Sequence, residues 1–138
     1  MTKVFLDAAY AIALSAPRDR YHERAVMLAE QLEAEGTWIA TTRAVILEIG
    51  NALSKLRYQK AAIDLLDSLE KDPKVVIVPI SEQLYVRAFQ LYRERLDKEW
   101  SITDCISFVV MQEQGLTEAL TTDEHFRQAG FRVLLGGR

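Results

Sequence analysis

Residues 4–14 read Val4-Phe5-Leu6-Asp7-Ala8-Ala9-Tyr10-Ala11-Ile12-Ala13-Leu14. A short apolar run of β type ends on an acid and passes directly into an alanine-rich stretch that favours helix. Outward from there the chain keeps alternating. Pro17 and the charged run Arg18-Asp19-Arg20 stop the first helix. Residues 21–35 predict a second, with Ala25, Leu28, Ala29 and Leu32 on one face and Gly36 as its stop. Trp38-Ile39-Ala40 reads as a strand. Thr41 or Thr42 then caps a third helix that carries Val45, Ile46, Ile49, Leu53 and Leu56. Residues 61–70 predict a fourth helix, closed by Asp72-Pro73. Val75-Val76-Ile77-Val78 is wholly apolar, the pattern of a strand covered on both faces. Ser81 caps a fifth helix to about residue 96, and residues 101–113 predict a sixth, ended by Gly115. Residues 119–122 predict a strand, 123–128 a short helix and 131–135 a last strand. Gly136-Gly137-Arg138 is expected to fray.

Strands alternating with helices mean an α/β fold whose mainly parallel sheet is covered on both faces. The 138 residues, 49% hydrophobic and 27% charged, fit a single domain spanning 1–138. No apolar run approaches the ~20 residues that span a bilayer, so no membrane partner is expected. Met1-Thr2-Lys3-Val4 leads directly into structure, without the apolar region of a signal peptide. Cys105 is the one cysteine and can form no internal disulfide, which favours a reducing compartment; the expected location is cytoplasmic. A net charge of −3 argues against coating nucleic acid through the overall field, but not against acting on it through a metal ion.

Ligands in open α/β sheets sit beyond the carboxyl ends of the strands, and there the chain places acids. Asp7 ends the first strand, Asp123 follows the strand at 119–122, and Asp104 lies in the first turn of the sixth helix. Each also fits a helix cap: Asp7 and Asp123 directly, Asp104 as the partner of Ser101 in a capping box. Glu48 interrupts an apolar helix between Leu47 and Ile49, and either faces solvent or meets a cation. Clustered carboxylates repel unless neutralised, and a hard divalent cation, Mg²⁺ or Mn²⁺, is their natural partner. Two histidines and one cysteine without close spacing do not assemble a zinc site. An all-carboxylate Mg²⁺ site polarises a phosphoryl group and activates water for in-line attack.

Four segments, taken in order, resemble the PIN-domain ribonucleases, especially the VapC-type toxins. They are Val4-Phe5-Leu6-Asp7, Leu47-Glu48-Ile49-Gly50-Asn51-Ala52-Leu53, Trp100-Ser101-Ile102-Thr103-Asp104-Cys105-Ile106-Ser107-Phe108 and Leu120-Thr121-Thr122-Asp123-Glu124-His125-Phe126. The resemblance implies a PIN-domain (Rossmann-like) α/β/α sandwich with a five-stranded, mainly parallel sheet. It also implies a Mg²⁺- or Mn²⁺-dependent endoribonuclease, the toxin of a toxin–antitoxin pair. By resemblance Asp7, Glu48, Asp104 and Asp123 hold the metal and activate water, while Thr103 and Thr122 support the acids by hydrogen bonding. RNA is then the substrate and a cognate antitoxin the partner, DNA is reached only through the antitoxin, and the toxin is a homodimer. After the first Asp the family often carries a hydroxyl residue beside the metal; this chain has Ala8 and Ala9.

Arg43, near the start of the helix that carries Glu48, is the best-placed basic residue for a phosphate contact, against the plainer reading of a solvated face. His125, two residues past Asp123, is the histidine to contact substrate, and His22 serves local hydrogen bonding. Cys105 reads as a buried thiol. Tyr85, Phe89 and Tyr92 read as core or dimer interface rather than a base-stacking platform. A dinucleotide site needs glycines where Asp7-Ala8-Ala9-Tyr10 has none, and a phosphoaspartate enzyme needs an acid at Ala9. The alternative function is a non-catalytic PIN-fold interaction protein whose acidic pocket receives a basic side chain of a partner.

Overall fold

The computed structural model describes residues 2–136. The elements, in chain order, are β1 (Lys3–Leu6), α1 (Ala8–Ser15), α2 (His22–Glu35), β2 (Trp38–Thr42), α3 (Arg43–Ala52), α4 (Leu56–Lys71), β3 (Val75–Val78), α5 (Glu82–Glu94), α6 (Ile102–Glu113), β4 (Glu118–Leu120), α7 (Glu124–Gln128) and β5 (Arg132–Val133). The five strands pair in the order β3-β2-β1-β4-β5, and every pairing is parallel. The chain therefore winds outward from β1 through β2 to β3, then returns to the other side of β1 with β4. The switch point lies between β1 and β4, where Leu6 pairs with Leu120, and a ligand crevice is expected there.

Local chemistry sets the helix ends. Thr42 accepts the Val45 backbone N–H at 3.1 Å and starts α3. Ser81 accepts from Leu84 N at 3.0 Å and starts α5. Gly36 closes α2 with φ +66°, a left-handed conformation that a side chain would strain. Residues 104–111 of α6 are all buried, so this helix is the central strut of the core. Phe108 of α6 meets Trp100 and Phe126 edge-on, with ring centroids 4.9 and 5.0 Å apart. These contacts fix α7, and with it the segment after β4, against α6.

The structure corrects several boundaries. The helix predicted to run to Leu56 ends at Ala52, and Leu56 opens α4, five residues before its predicted start. Neither Gly nor Pro marks the break; the Gln59 side chain donates to Ser54 O across it at 2.8 Å. The all-apolar β3 is an edge strand, not one covered on both faces: Val76 is 38% exposed and its neighbours are only half-buried. β4 ends at Leu120 rather than at residue 122, which frees Thr121 and Thr122 from the ladder. The last strand shortens to Arg132–Val133. Gly136 is buried rather than frayed, while Gly137 and Arg138 lie outside the described residues.

Candidate metal centre

β1 delivers Asp7 to the switch point. Asp7 occupies the cap position of α1, yet its side chain makes no cap hydrogen bond. Its Oδ2 accepts the Thr121 hydroxyl at 2.6 Å instead. Burial pushes the Asp7 carboxyl up to about 6; the bonds from Thr121 and the Ala8 backbone oppose this, and the charges of Asp104 and Asp123 add to it. Thr121 Oγ1 also accepts the Asp123 backbone N–H at 3.0 Å, so one hydroxyl links both strand-end acids.

Asp104 satisfies both of its readings. Its backbone N–H donates to Ser101 Oγ at 2.9 Å while its Oδ2 accepts from Ser101 N at 3.0 Å, completing the capping box of α6. The same Oδ2 is bonded to His125 Nδ1 at 2.9 Å. Both bonds fall on one oxygen, and Oδ1 carries neither. Asp123 caps α7 through Oδ1, which accepts from His125 N at 2.9 Å and lies 3.5 Å from His125 Nδ1. Burial disfavours the charged His125 ring, but the Asp104 hydrogen bond and the charges of Asp123, Asp104 and Glu99 outweigh it, so the net shift is upward.

Glu48 reaches the same place from α3 and stays exposed to solvent. Partial desolvation raises its pKa, and so do the charges of Asp7, Asp104 and Asp123. Among the described residues it has neither hydrogen bond nor ion pair. All four acids, with Ala8, Ala9, Ile12, Ala52 and Thr122, line one open cleft of about 440 Å³. Neither Lys nor Arg is among its lining residues. Asp104, Asp123 and His125 each bring one donor atom within 4.8 Å of the others. Carboxylates held together without a lysine or arginine suit a hard divalent cation.

The remaining sequence candidates separate. Thr122 lines the cleft, but the supporting hydroxyl is that of Thr121. Thr103 makes no side-chain hydrogen bond among the described residues. Arg43 turns to Glu70 of α4 in an exposed ion pair and does not line the cleft. His125 contacts the acids themselves. His22 is bonded locally, to Ala13 O at 2.8 Å. Cys105 is buried, and burial pushes its thiol up to about 11, which leaves it unsuited to attack. Tyr85, Phe89 and Tyr92 form an exposed, stacked ladder along α5 and are not core. Thr121 is the residue that sequence reasoning missed. The Leu6–Leu120 register seats it opposite Asp7, and no local pattern states that register.

Fold and cleft together define an α/β protein with an acid cluster at its topological switch point. The chain belongs to the PIN domain family, which it matches over residues 4–132. Among solved structures it is similar to the Mycobacterium tuberculosis toxin VapC20, described as a sarcin–ricin loop cleaving toxin. The TM-score is 0.80 at 24% identity, over 93% of this chain and 95% of that one. It is also similar to a chain of VapBC2 from Rickettsia felis, bound to a DNA fragment from its promoter (TM-score 0.66, 14% identity, 96% and 97% covered). A chain of FitAcB from Neisseria gonorrhoeae gives a TM-score of 0.62 at 21% identity, with 95% and 96% covered. At these identities the likeness is one of fold. Among proteins of curated function, none matches the sequence significantly. No helix among the described residues is long and apolar enough to cross a membrane.

Proposed function

We propose that this chain is a Mg²⁺- or Mn²⁺-dependent endoribonuclease and the toxin of a toxin–antitoxin pair. The observation that carries this reading is the convergence of Asp7, Glu48, Asp104 and Asp123 on one open cleft at the switch point of a PIN fold. A divalent cation bound there supplies Lewis-acid polarisation of the scissile phosphate and lowers the pKa of the attacking water. The protein's part is positioning. Thr121 fixes Asp7, the capping box fixes Asp104, and the first turn of α7 fixes Asp123. Glu48, raised in pKa and free of partners among the described residues, takes the proton of the attacking water at its carboxylate.

The neighbouring structures support the rest of the reading. VapC20 suggests sarcin–ricin loop RNA as the first substrate to try. The promoter-bound VapBC2 assembly supports a cognate antitoxin, with DNA reached through it. In the complex of this chain with its own antitoxin, a basic antitoxin side chain would enter the acid cleft. The toxin functions as a homodimer in the cytoplasm. Four of the ten large apolar residues exposed among the described ones, Tyr85, Val86, Phe89 and Tyr92, lie on α5, and Leu96 follows just beyond its end, so α5 offers the contact surface.

The test is cleavage of sarcin–ricin, ribosomal and transfer RNA by antitoxin-free protein with Mg²⁺ or Mn²⁺, beside Asp7→Asn. Metal-dependent cleavage that disappears in the variant is expected. Cleavage undiminished in Asp7→Asn, or folded wild-type protein that neither cleaves nor binds Mn²⁺, overturns the nuclease and leaves the adaptor with an acidic pocket.

A further inference from the structure

We infer that His125 is itself a ligand of the cation, so that the centre has mixed nitrogen and oxygen donors rather than carboxylates alone. The inference rests on the reading of the cleft as a divalent-metal site. His125 Nδ1 lies 2.9 Å from Asp104 Oδ2 and 3.5 Å from Asp123 Oδ1. Ligands at about 2.1 Å on adjacent corners of an octahedron stand about 3 Å apart. His125 Nδ1 already stands close to that spacing from each carboxylate oxygen, and the donor atoms of the three residues all lie within 4.8 Å of one another.

Three features hold the imidazole in place. Its backbone N–H donates to Asp123 Oδ1 at 2.9 Å, which fixes the start of α7. The next residue, Phe126, is fully buried against Phe108 and Phe5, which anchors the helix. The capping box holds Asp104 from the other side. The ring is thus clamped against both carboxylates. A cation held here would take the Nδ1 lone pair, leaving the neutral ring's one proton on Nε2, with any further ring proton released to solvent.

The chemical consequence is selectivity. An imidazole nitrogen adds little for Mg²⁺, which prefers oxygen, but favours Mn²⁺ and the later first-row ions. The centre therefore prefers Mn²⁺ to Mg²⁺ more strongly than four carboxylates would. Ala8 and Ala9, which line the cleft, bring no hydroxyl to the ion, and the histidine supplies a donor beside Asp104 and Asp123.

The test is pulsed electron paramagnetic resonance of the wild-type protein loaded with one equivalent of Mn²⁺, alongside calorimetric titration with Mn²⁺ and Mg²⁺. Bound Mn²⁺ should show nitrogen modulation characteristic of a coordinated imidazole. His125→Asn should abolish it, and His22→Asn should leave it intact. Mn²⁺ affinity should fall about tenfold or more in His125→Asn, with a smaller change for Mg²⁺. Tightly bound Mn²⁺ without nitrogen modulation in the wild type overturns the inference and leaves the metal centre standing, with His125 only orienting Asp104. Failure of the wild type to bind Mn²⁺ overturns both. The wild-type spectrum decides the ligation even if the variant does not fold.

Discussion

Thr121 donates its hydroxyl to Asp7 Oδ2 at 2.6 Å, across 114 positions of sequence. Thr121 Oγ1 in turn accepts the Asp123 backbone N–H. Thr121→Val keeps the shape of the side chain and removes both bonds. It should destabilise the protein by ~1–3 kcal/mol, since a buried carboxylate loses its donor and an N–H its acceptor. Mn²⁺ affinity should fall about 10–100-fold. Thr121→Ser should keep most of both. Urea unfolding and metal titration of the three proteins check this; a valine variant with wild-type stability and affinity would remove Thr121 from the site.

Asp7 makes stability depend on pH in an unusual direction. Its carboxyl titrates at 3.8 when unexceptional and about 6 in the fold. Between these values the folded protein holds a proton that the unfolded chain has released. Stability in the absence of metal therefore falls as pH rises through this window, then levels off. Glu48, also raised, acts with the same sign. Asp7→Asn should flatten the profile and stabilise the metal-free protein near pH 7 by up to ~3 kcal/mol. Unfolding in EDTA from pH 4 to 8 measures it, and a wild-type stability that rises across the window would contradict it.

Ser107 Oγ is fully buried in α6 and has no hydrogen-bond partner among the described residues. Ser107→Ala removes an unsatisfied polar atom without opening a large cavity, and should raise stability by ~1 kcal/mol. Thermal unfolding decides; a clear loss of stability would show that the hydroxyl has a partner in solution.

The α5 ladder gives a prediction about assembly. Tyr85, Phe89 and Tyr92 stack at centroid distances of 6.1 and 6.2 Å while remaining 36–46% exposed. Phe89→Asp should leave the fold intact and convert a dimer to a monomer, read as a halved mass in light scattering. An unchanged mass, with wild type dimeric, places the interface elsewhere.

The fold was legible wherever chemistry is local. Ser81, Thr42 and the Ser101–Asp104 box mark their helices in sequence as they do in space. The break between α3 and α4 was not, because Leu53 and Leu56 continue the helical period through it without a glycine or proline. The edge position of β3 was hidden as well, since an apolar run does not state how many neighbours its strand has. At the site, Asp7, Asp104 and Asp123 were legible because strand ends and helix starts attract acids, and Glu48 because it interrupts an apolar helix. The roles of Thr121 and His125 depend on the register of β4 against β1 and on how α7 seats against α6. Both are long-range facts. Arg43 shows the converse: its position beside the acid-bearing helix looked apt, but Glu70, distant in sequence, takes its guanidinium.

The strand order has a consequence for timing. β1 and Asp7 leave the ribosome before the rest of the site, yet their neighbour on the site side is β4, and Asp123 and His125 come later still. An emerging chain can pair β1 with β2 and β2 with β3 while half of the acid cluster is still unsynthesised. The cleft is thus completed only after β4 and α7 have emerged. A cleft arranged in this way cannot gather its four acids until the strand on the far side of β1 has docked.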